Sequence, residues 1–218
     1  MNPEFWIDRW QSGRIGFHQD AVHPELRDRW SELGLSPGAT VLAPLCGKSL
    51  DMRWLAERGH RVVGIELSEL AVRAFFEEGR EAFQIEDARH HRRYRGARVE
   101  LLAGDFFAVE PSDLPPLDAF YDRAALVALP DELRSRYVAH LAHLLPSGCP
   151  GVLVSMVYDP KKMSGPPFSV PAAEVERLWA ERFEVELLSE RSGPEVLGNL
   201  AARGLDELTE LTYRMRRR

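Results

Sequence analysis

The chain has 218 residues, 44% of them hydrophobic, enough to bury one substantial core, and no shift in composition marks a second domain. Its formal net charge of −6, from 34 Asp and Glu against 28 Lys and Arg, disfavours a duplex-binding surface, because phosphate neutralisation supplies most non-specific affinity. Cys46 and Cys149 make neither a disulfide framework nor a Cys-x-x-Cys pair, no apolar run reaches the roughly 18 to 20 residues of a membrane span, and Met-Asn-Pro-Glu-Phe-Trp lacks the regions of a signal peptide. These bounds predict one cytoplasmic domain over 1–218, a monomer without nucleic-acid or membrane partners. The basic patches at His90 to Arg95 and Arg214 to Arg218 read as solvated surface.

Residues 1–38 are aromatic and irregular, with Phe5, Trp6, Trp10, Phe17 and Trp30 on two short helices around Gly13-Arg-Ile-Gly16. Such crowding ahead of the first strand predicts a cover laid over a site. From Ala39 the pattern becomes βαβ: a strand over Thr40 to Ala43, a helix over Ser49 to Arg58, and a strand over Arg61 to Glu66. Parallel strands joined by helices follow. Ser68 caps a helix whose apolar positions continue to Phe83, and Val99 to Ala103 is a third strand ending in Gly104-Asp105-Phe106-Phe107. Leu117 to Tyr121 is the fourth strand, ending at Asp122-Arg123, and Asp131 opens a helix to about Leu145. The Val-rich run Gly151 to Tyr158 suits a buried strand. The loop Asp159 to Val170, holding Gly165-Pro-Pro-Phe-Ser, is too long for a plain connector and is a lid or substrate-loop candidate. Ala172 to Ala180 reads as a helix, and Phe183 to Ser189 and Glu207 to Met215 as two closing strands.

In an open α/β sheet, ligands bind beyond the carboxyl ends of the strands, here Pro44 to Gly47, Glu66, Asp105 and Arg123. Glu66 stands where an acid accepts hydrogen bonds from ribose hydroxyls, Asp105 where one accepts from an exocyclic amine, and Phe106 beside it could pack on a purine. The turn Ala43 to Ser49 contains only Gly47, so the glycines that let backbone amides approach a pyrophosphate are missing. Gly47-Lys48-Ser49 ends like a P-loop, yet Leu42 stands where its first glycine belongs. An adenosine without phosphates and with a cationic sulfonium tail fits what is left: S-adenosylmethionine. Arg123 could bind the tail carboxylate or line the reaction centre, and Trp10 could cover the sulfonium.

Each residue has a plainer reading. Glu66 is equally a strand-end carboxylate, Asp105 a turn residue, and at least one of Trp6 and Trp10 simply packed core. Cys46 has no base to activate it and reads as a small buried thiol. His140 and His143 lack a third ligand, so they read as a solvated helix face and no metal is expected. His18 could take a substrate proton or make a structural hydrogen bond.

Taken in order, Trp6-x-x-x-Trp10 with Gly13-Arg-Ile-Gly-Phe-His18, Pro44-Leu-Cys-Gly-Lys-Ser49 with Asp51-Met-x-Trp54-Leu, Gly59-His-x-Val-Val-Gly-x-Glu66, Tyr121-Asp-Arg123-Ala-Ala-Leu-Val-Ala-Leu and Gly165-Pro-Pro-Phe-Ser-Val170 closely resemble the thiopurine S-methyltransferase family. The matches span nearly the whole chain, and its length and start before Phe5-Trp6 are similar to the family's bacterial branch. The resemblance implies a class I methyltransferase: seven mostly parallel strands with an antiparallel last strand, helices on both faces, S-adenosylmethionine and no metal. It places cofactor contacts on Trp10, Leu45, Glu66 and Arg123. It also implies methyl transfer to a small-molecule acceptor, a thiopurine or aromatic thiol, with selenium and tellurium species among the associations of bacterial relatives. Phe17, Pro167 and Phe168 are candidates for a dry acceptor wall, and Arg123 or His18 for assistance to an acceptor acidic enough to need no strong base. The alternatives are a small-molecule O- or N-methyltransferase, which would need a general base, and a binding module that holds the cofactor without turnover.

Overall fold

The computed structural model describes residues 3 to 218, so the first two residues of the cover segment and of the signal-peptide reading lie outside it. Its contacts group into two compact units, Met1–Tyr121 and Asp122–Arg218.

In the first unit, α1 (Pro3–Gln11) and α2 (Pro24–Arg29) precede β1 (Thr40–Pro44), a strand buried along its whole length. Helix α3 (Leu50–Glu57) starts at Ser49, whose hydroxyl accepts the Asp51 N–H at 3.2 Å and satisfies one of the donors that a helix start leaves unpaired. Strand β2 (Arg61–Glu66) runs parallel to β1 in the register Thr40↔Arg61 to Pro44↔Ile65. Ser68 caps α4 (Glu69–Glu78) as its residue type predicts, accepting from the Ala71 N–H at 3.4 Å. Then come β3 (Gln84–Asp87), β4 (His91–Arg95), β5 (Val99–Gly104) and β6 (Ala119–Arg123), the last crossing the boundary between units. The order is β3-β4-β5-β2-β1-β6, with β5, β2, β1 and β6 parallel and β3 and β4 antiparallel additions. Leu42, Ile65, Phe75, Leu101 and Phe120 fill the core without exposure above 1%.

Two expectations fail here. Helix α4 stops at Glu78 rather than running towards Phe83, because Gly79 and Arg80 follow, Arg80 with a left-handed φ of 53°. Phe83 keeps its apolar role outside the helix, its ring 5.0 Å from Phe76 and 5.6 Å from Tyr94. The patch His90 to Arg95 is not plain solvated surface: within β4 His91 and Tyr94 are buried, while Arg92 pairs with Asp87 at 2.6 Å and Arg93 with Glu100 at 2.7 Å. The β3–β4 hairpin is why the described residues hold nine strands where seven were expected.

In the second unit, α5 (Asp131–Leu144), β7 (Pro150–Val157), α6 (Ala172–Trp179), β8 (Phe183–Ser192), α7 (Pro194–Leu197) and β9 (Thr209–Arg217) follow in sequence. Strand β9 is antiparallel to both its neighbours, β7 and β8, as expected of the last strand. Tyr137, Leu141, Trp179 and Phe183 are fully buried there. No helix among the described residues is long and apolar enough to cross a membrane.

Candidate active site

In the first unit, candidate cofactor residues gather at the carboxyl ends of β1 and β2. Leaving β1, the chain passes through Leu45 with φ 47° and Gly47 with φ 53°. Left-handed backbone costs a residue with a Cβ roughly 1–2 kcal/mol, so Leu45 is held there by its surroundings. The Cys46 N–H donates to the Ile65 carbonyl at 3.1 Å, and the Gly47 N–H donates to Glu66 Oε2 at 2.8 Å. The other oxygen, Oε1, accepts the Ser68 N–H at 2.8 Å. One carboxylate thus fixes both the turn after β1 and the start of α4.

Glu66 is 7% exposed and, among the described residues, pairs with no cation. Burial raises its pKa, opposed by the backbone N–H groups of Ser68, Gly47 and Leu67. A buried carboxylate whose partners are all backbone keeps lone pairs for hydroxyl donors, since two oxygens offer about four acceptor sites. That donor demand fits the ribose of S-adenosylmethionine. Trp10, 7% exposed, lies against the same turn: a Cβ added at Gly47 would come 3.2 Å from its indole. Phe17 sits edge-on between Trp6 and Trp10, 5.5 Å from each ring, so the cover is an aromatic stack in its own right. The His18 N–H donates to the Ile15 carbonyl at 2.8 Å, closing the turn that presents Phe17.

Asp105 is exposed and accepts the Phe107 N–H at 3.0 Å, capping the short turn Phe106–Ala108. Phe106 is buried and Phe107 half-buried, their rings at 5.5 Å. The Cys46 sulfur packs beneath the turn, where the missing side chain of Gly64 makes room; a Cβ there would meet it at 2.6 Å. Burial and the neighbouring Glu66 push this thiol well up, so it is protonated and unsuited to nucleophilic attack. Sequence reasoning passed over Asp51, a buried carboxylate accepting the His23 N–H at 2.8 Å and the Tyr121 hydroxyl at 3.1 Å. Its position in the first turn of α3 reads equally well as a helix-dipole residue, so only the fold separates the two.

The second unit opens on Asp122-Arg123 at the end of β6. Asp122 is completely buried; Oδ1 accepts the Leu126 N–H at 3.1 Å and Oδ2 the Tyr137 hydroxyl at 2.7 Å. Burial pushes its pKa up to about 6. Arg123 next to it is half-buried, and Ala124 takes a left-handed φ of 64°.

The loop expected to be a lid or substrate loop is tied down residue by residue. Arg203 donates to the Pro166 carbonyl at 2.7 Å, Tyr158 to the Pro167 carbonyl at 2.6 Å, and the Phe168 N–H to the Val127 carbonyl at 2.6 Å. Ser169 accepts the Tyr158 N–H at 3.1 Å, and Ser155 donates to the Val170 carbonyl at 2.6 Å. The peptide bonds before Pro166 and Pro167 are cis, and Gly165 with φ 78° leaves room for the Phe168 ring, which a Cβ would meet at 2.4 Å. The stretch from Pro166 to Val170 is therefore held within its unit rather than loose.

Comparison with known proteins gives the chain its family and its fold relatives. The family model described as thiopurine S-methyltransferase matches residues 1–218. A thiopurine S-methyltransferase of Azotobacter vinelandii is 49% identical over 221 residues, covering all of both chains, in line with the bacterial branch. A SAM-dependent methyltransferase from Anabaena variabilis superposes with a TM-score of 0.66 at 16% identity, over 100% of this chain and 96% of that one. N-methyltransferase NodS from Bradyrhizobium japonicum, solved with S-adenosyl-L-homocysteine, gives 0.66 at 15% identity over 100% and 99%. The expected class I architecture is borne out by these folds, and the expected cofactor, S-adenosylmethionine, agrees with the family. The chain belongs to the thiopurine S-methyltransferase family.

Proposed function

We propose that the chain transfers a methyl group from S-adenosylmethionine to a soft sulfur nucleophile, a thiopurine or an aromatic or heterocyclic thiol, with selenium and tellurium species as further acceptors. The observation that carries the sulfur class is the match to thiopurine S-methyltransferases over the whole chain. The carboxylate at the end of β6, one group that could serve a hydroxyl acceptor as a general base, is fully buried and bonded to Tyr137 and the Leu126 N–H. An acidic thiol reaches its nucleophilic anion without such a base.

When bound, the cofactor supplies an electrophilic methyl carried on a sulfonium. Glu66 accepts from the ribose hydroxyls, Asp105 from the exocyclic amine with Phe106 beside it, Leu45 and Trp10 enclose the adenosyl tail, and Arg123 takes its carboxylate. Phe17, Pro167 and Phe168 exclude water from the acceptor anion, which favours a reaction that consumes charge. Arg123 and His18 are our candidates for assistance by charge or through water. No metal enters this scheme. The full-length family match supports one functional domain over 1–218, and the acidic balance supports a small-molecule acceptor rather than nucleic acid. We read the enzyme as a cytoplasmic monomer with a part in metalloid detoxification; neither cysteine is in a disulfide, which suits a reducing compartment.

Labelled methyl transfer to thiopurines, thiophenols, selenite and tellurite, against catechol and amine controls, tests the reading. Turnover confined to the thiols and metalloids supports it. Catechol or amine methylation at comparable kcat/KM overturns the sulfur class.

A further inference from the structure

Arg134 does something within the second unit that its place on a solvent-facing helix pattern does not announce. Its side chain is 5% exposed, and its guanidinium is shared among three elements. Nε donates to the Leu129 carbonyl at 2.9 Å, Nη1 donates to Glu174 Oε1 on α6 at 2.6 Å, and the guanidinium carbon stands 5.6 Å from the centre of the Phe168 ring. Phe168 is itself hung from Val127, two residues before Leu129, by its backbone N–H. Beside them opens a cavity of about 390 Å³, lined by Arg134, Glu174, Tyr158, Met163 and Phe168.

The chemistry of this bracket is specific to arginine. A planar fork can bond a carbonyl with one N–H and a carboxylate with another while offering a flat cationic face to an aromatic ring; a lysine ammonium has neither the fork nor the face. Glu174 keeps the buried cation compensated, and without it an uncompensated charge would be left beside the ring. The loop backbone is fixed by its own hydrogen bonds, so what Arg134 adds is the orientation of the Phe168 side chain.

We infer that Arg134, held by Glu174, is a positioning residue for the methyl acceptor: it sets the plane of the Phe168 ring against which an aromatic thiol is placed. This rests on the reading of Phe168 as acceptor wall. Arg134→Lys, Glu174→Gln, Phe168→Ala and the Arg134→Lys/Phe168→Ala double variant are compared with the parent. Steady-state kinetics use thiophenol and S-adenosylmethionine varied in turn, equilibrium binding of thiophenol is read in the presence of S-adenosylhomocysteine, and thermal melts report folding.

The expected result is a KM and binding constant for thiophenol raised about tenfold in Arg134→Lys, the size of one lost cation–ring contact, with the KM for S-adenosylmethionine within about twofold of the parent. The double variant should be no worse than Phe168→Ala, because Arg134 acts through that ring. If Phe168→Ala weakens the acceptor and a folded Arg134→Lys does not, the assignment of Arg134 is overturned while the wall stands. If Phe168→Ala leaves the acceptor unaffected, the wall reading falls and takes this one with it. Should Arg134→Lys fail to fold, Glu174→Gln decides: parent-like acceptor binding overturns the inference, and selective loss supports it.

Discussion

Glu66 and Asp122 occupy the same kind of place in the two units, the carboxyl end of a parallel strand, and burial raises the pKa of both. They differ in what completes them. Asp122 has no exposure and receives a side-chain hydroxyl from α5 as well as backbone N–H groups. Glu66 is satisfied by backbone alone and holds a turn whose residues sit in left-handed conformations. A strand-end carboxylate closed by a side chain is a structural tie; one closed only by backbone can also accept a ligand's hydroxyls. Position in the sheet does not distinguish them, and the partner atoms do.

The strongest way to break this comparison is Glu66→Ala. It removes the acceptor of two charge-assisted hydrogen bonds and of the proposed ribose contacts, each worth about 1.5–3 kcal/mol. S-adenosylhomocysteine affinity should fall about 100-fold or more by calorimetry. Parent-like binding would put Glu66 in the same structural class as Asp122.

Asp122→Asn is the complementary case. The folded-state pKa of Asp122, about 6, lies above its ordinary 3.8, so the folded protein binds the extra proton between those values and this group's contribution to stability declines as pH rises through that window. The whole decline amounts to about 3 kcal/mol. Urea unfolding from pH 3.5 to 7 should show the parent losing that stability relative to Asp122→Asn, while cofactor-product affinity stays within about twofold. A flat difference curve would mean Asp122 ionises as easily folded as unfolded.

Two smaller effects sharpen the contrast. Gly47→Ala meets a positive φ and the Trp10 indole, for an expected cost of about 1–2 kcal/mol and a weaker cofactor site. Tyr158→Phe deletes one of several ties on the Pro166 to Val170 loop and should cost about 1 kcal/mol in denaturant unfolding, with little change in acceptor KM.

The sheet that presents Glu66 was legible because apolar runs at β1, β2 and β5 follow strand spacing and Gly59-His60 and Ser68 mark the breaks. The β3–β4 hairpin was not, because its strands are mostly charged and carry no continuous apolar stripe; Arg92 in β4 pairs with Asp87 in β3 at 2.6 Å and with Glu69 in α4 at 3.0 Å. The candidate site residues rest on the strand-end rule and the family motifs. The hydrogen bonds that sort them were out of reach, since nothing in the letters tells that Tyr137 reaches Asp122 or that Gly47 and Ser68 divide the oxygens of Glu66.

Gly64 gives the turn a built-in chemical clock. The space left by its absent side chain gathers the Cys46 sulfur, Leu101 and Met52 around one point, and the half-buried thiol, pushed well up by burial and by Glu66, is held in its unreactive form while the turn stays closed. The rate at which Cys46 is alkylated at neutral pH should therefore rise as the cofactor turn loosens, and any ligand that grips Glu66 should slow that clock.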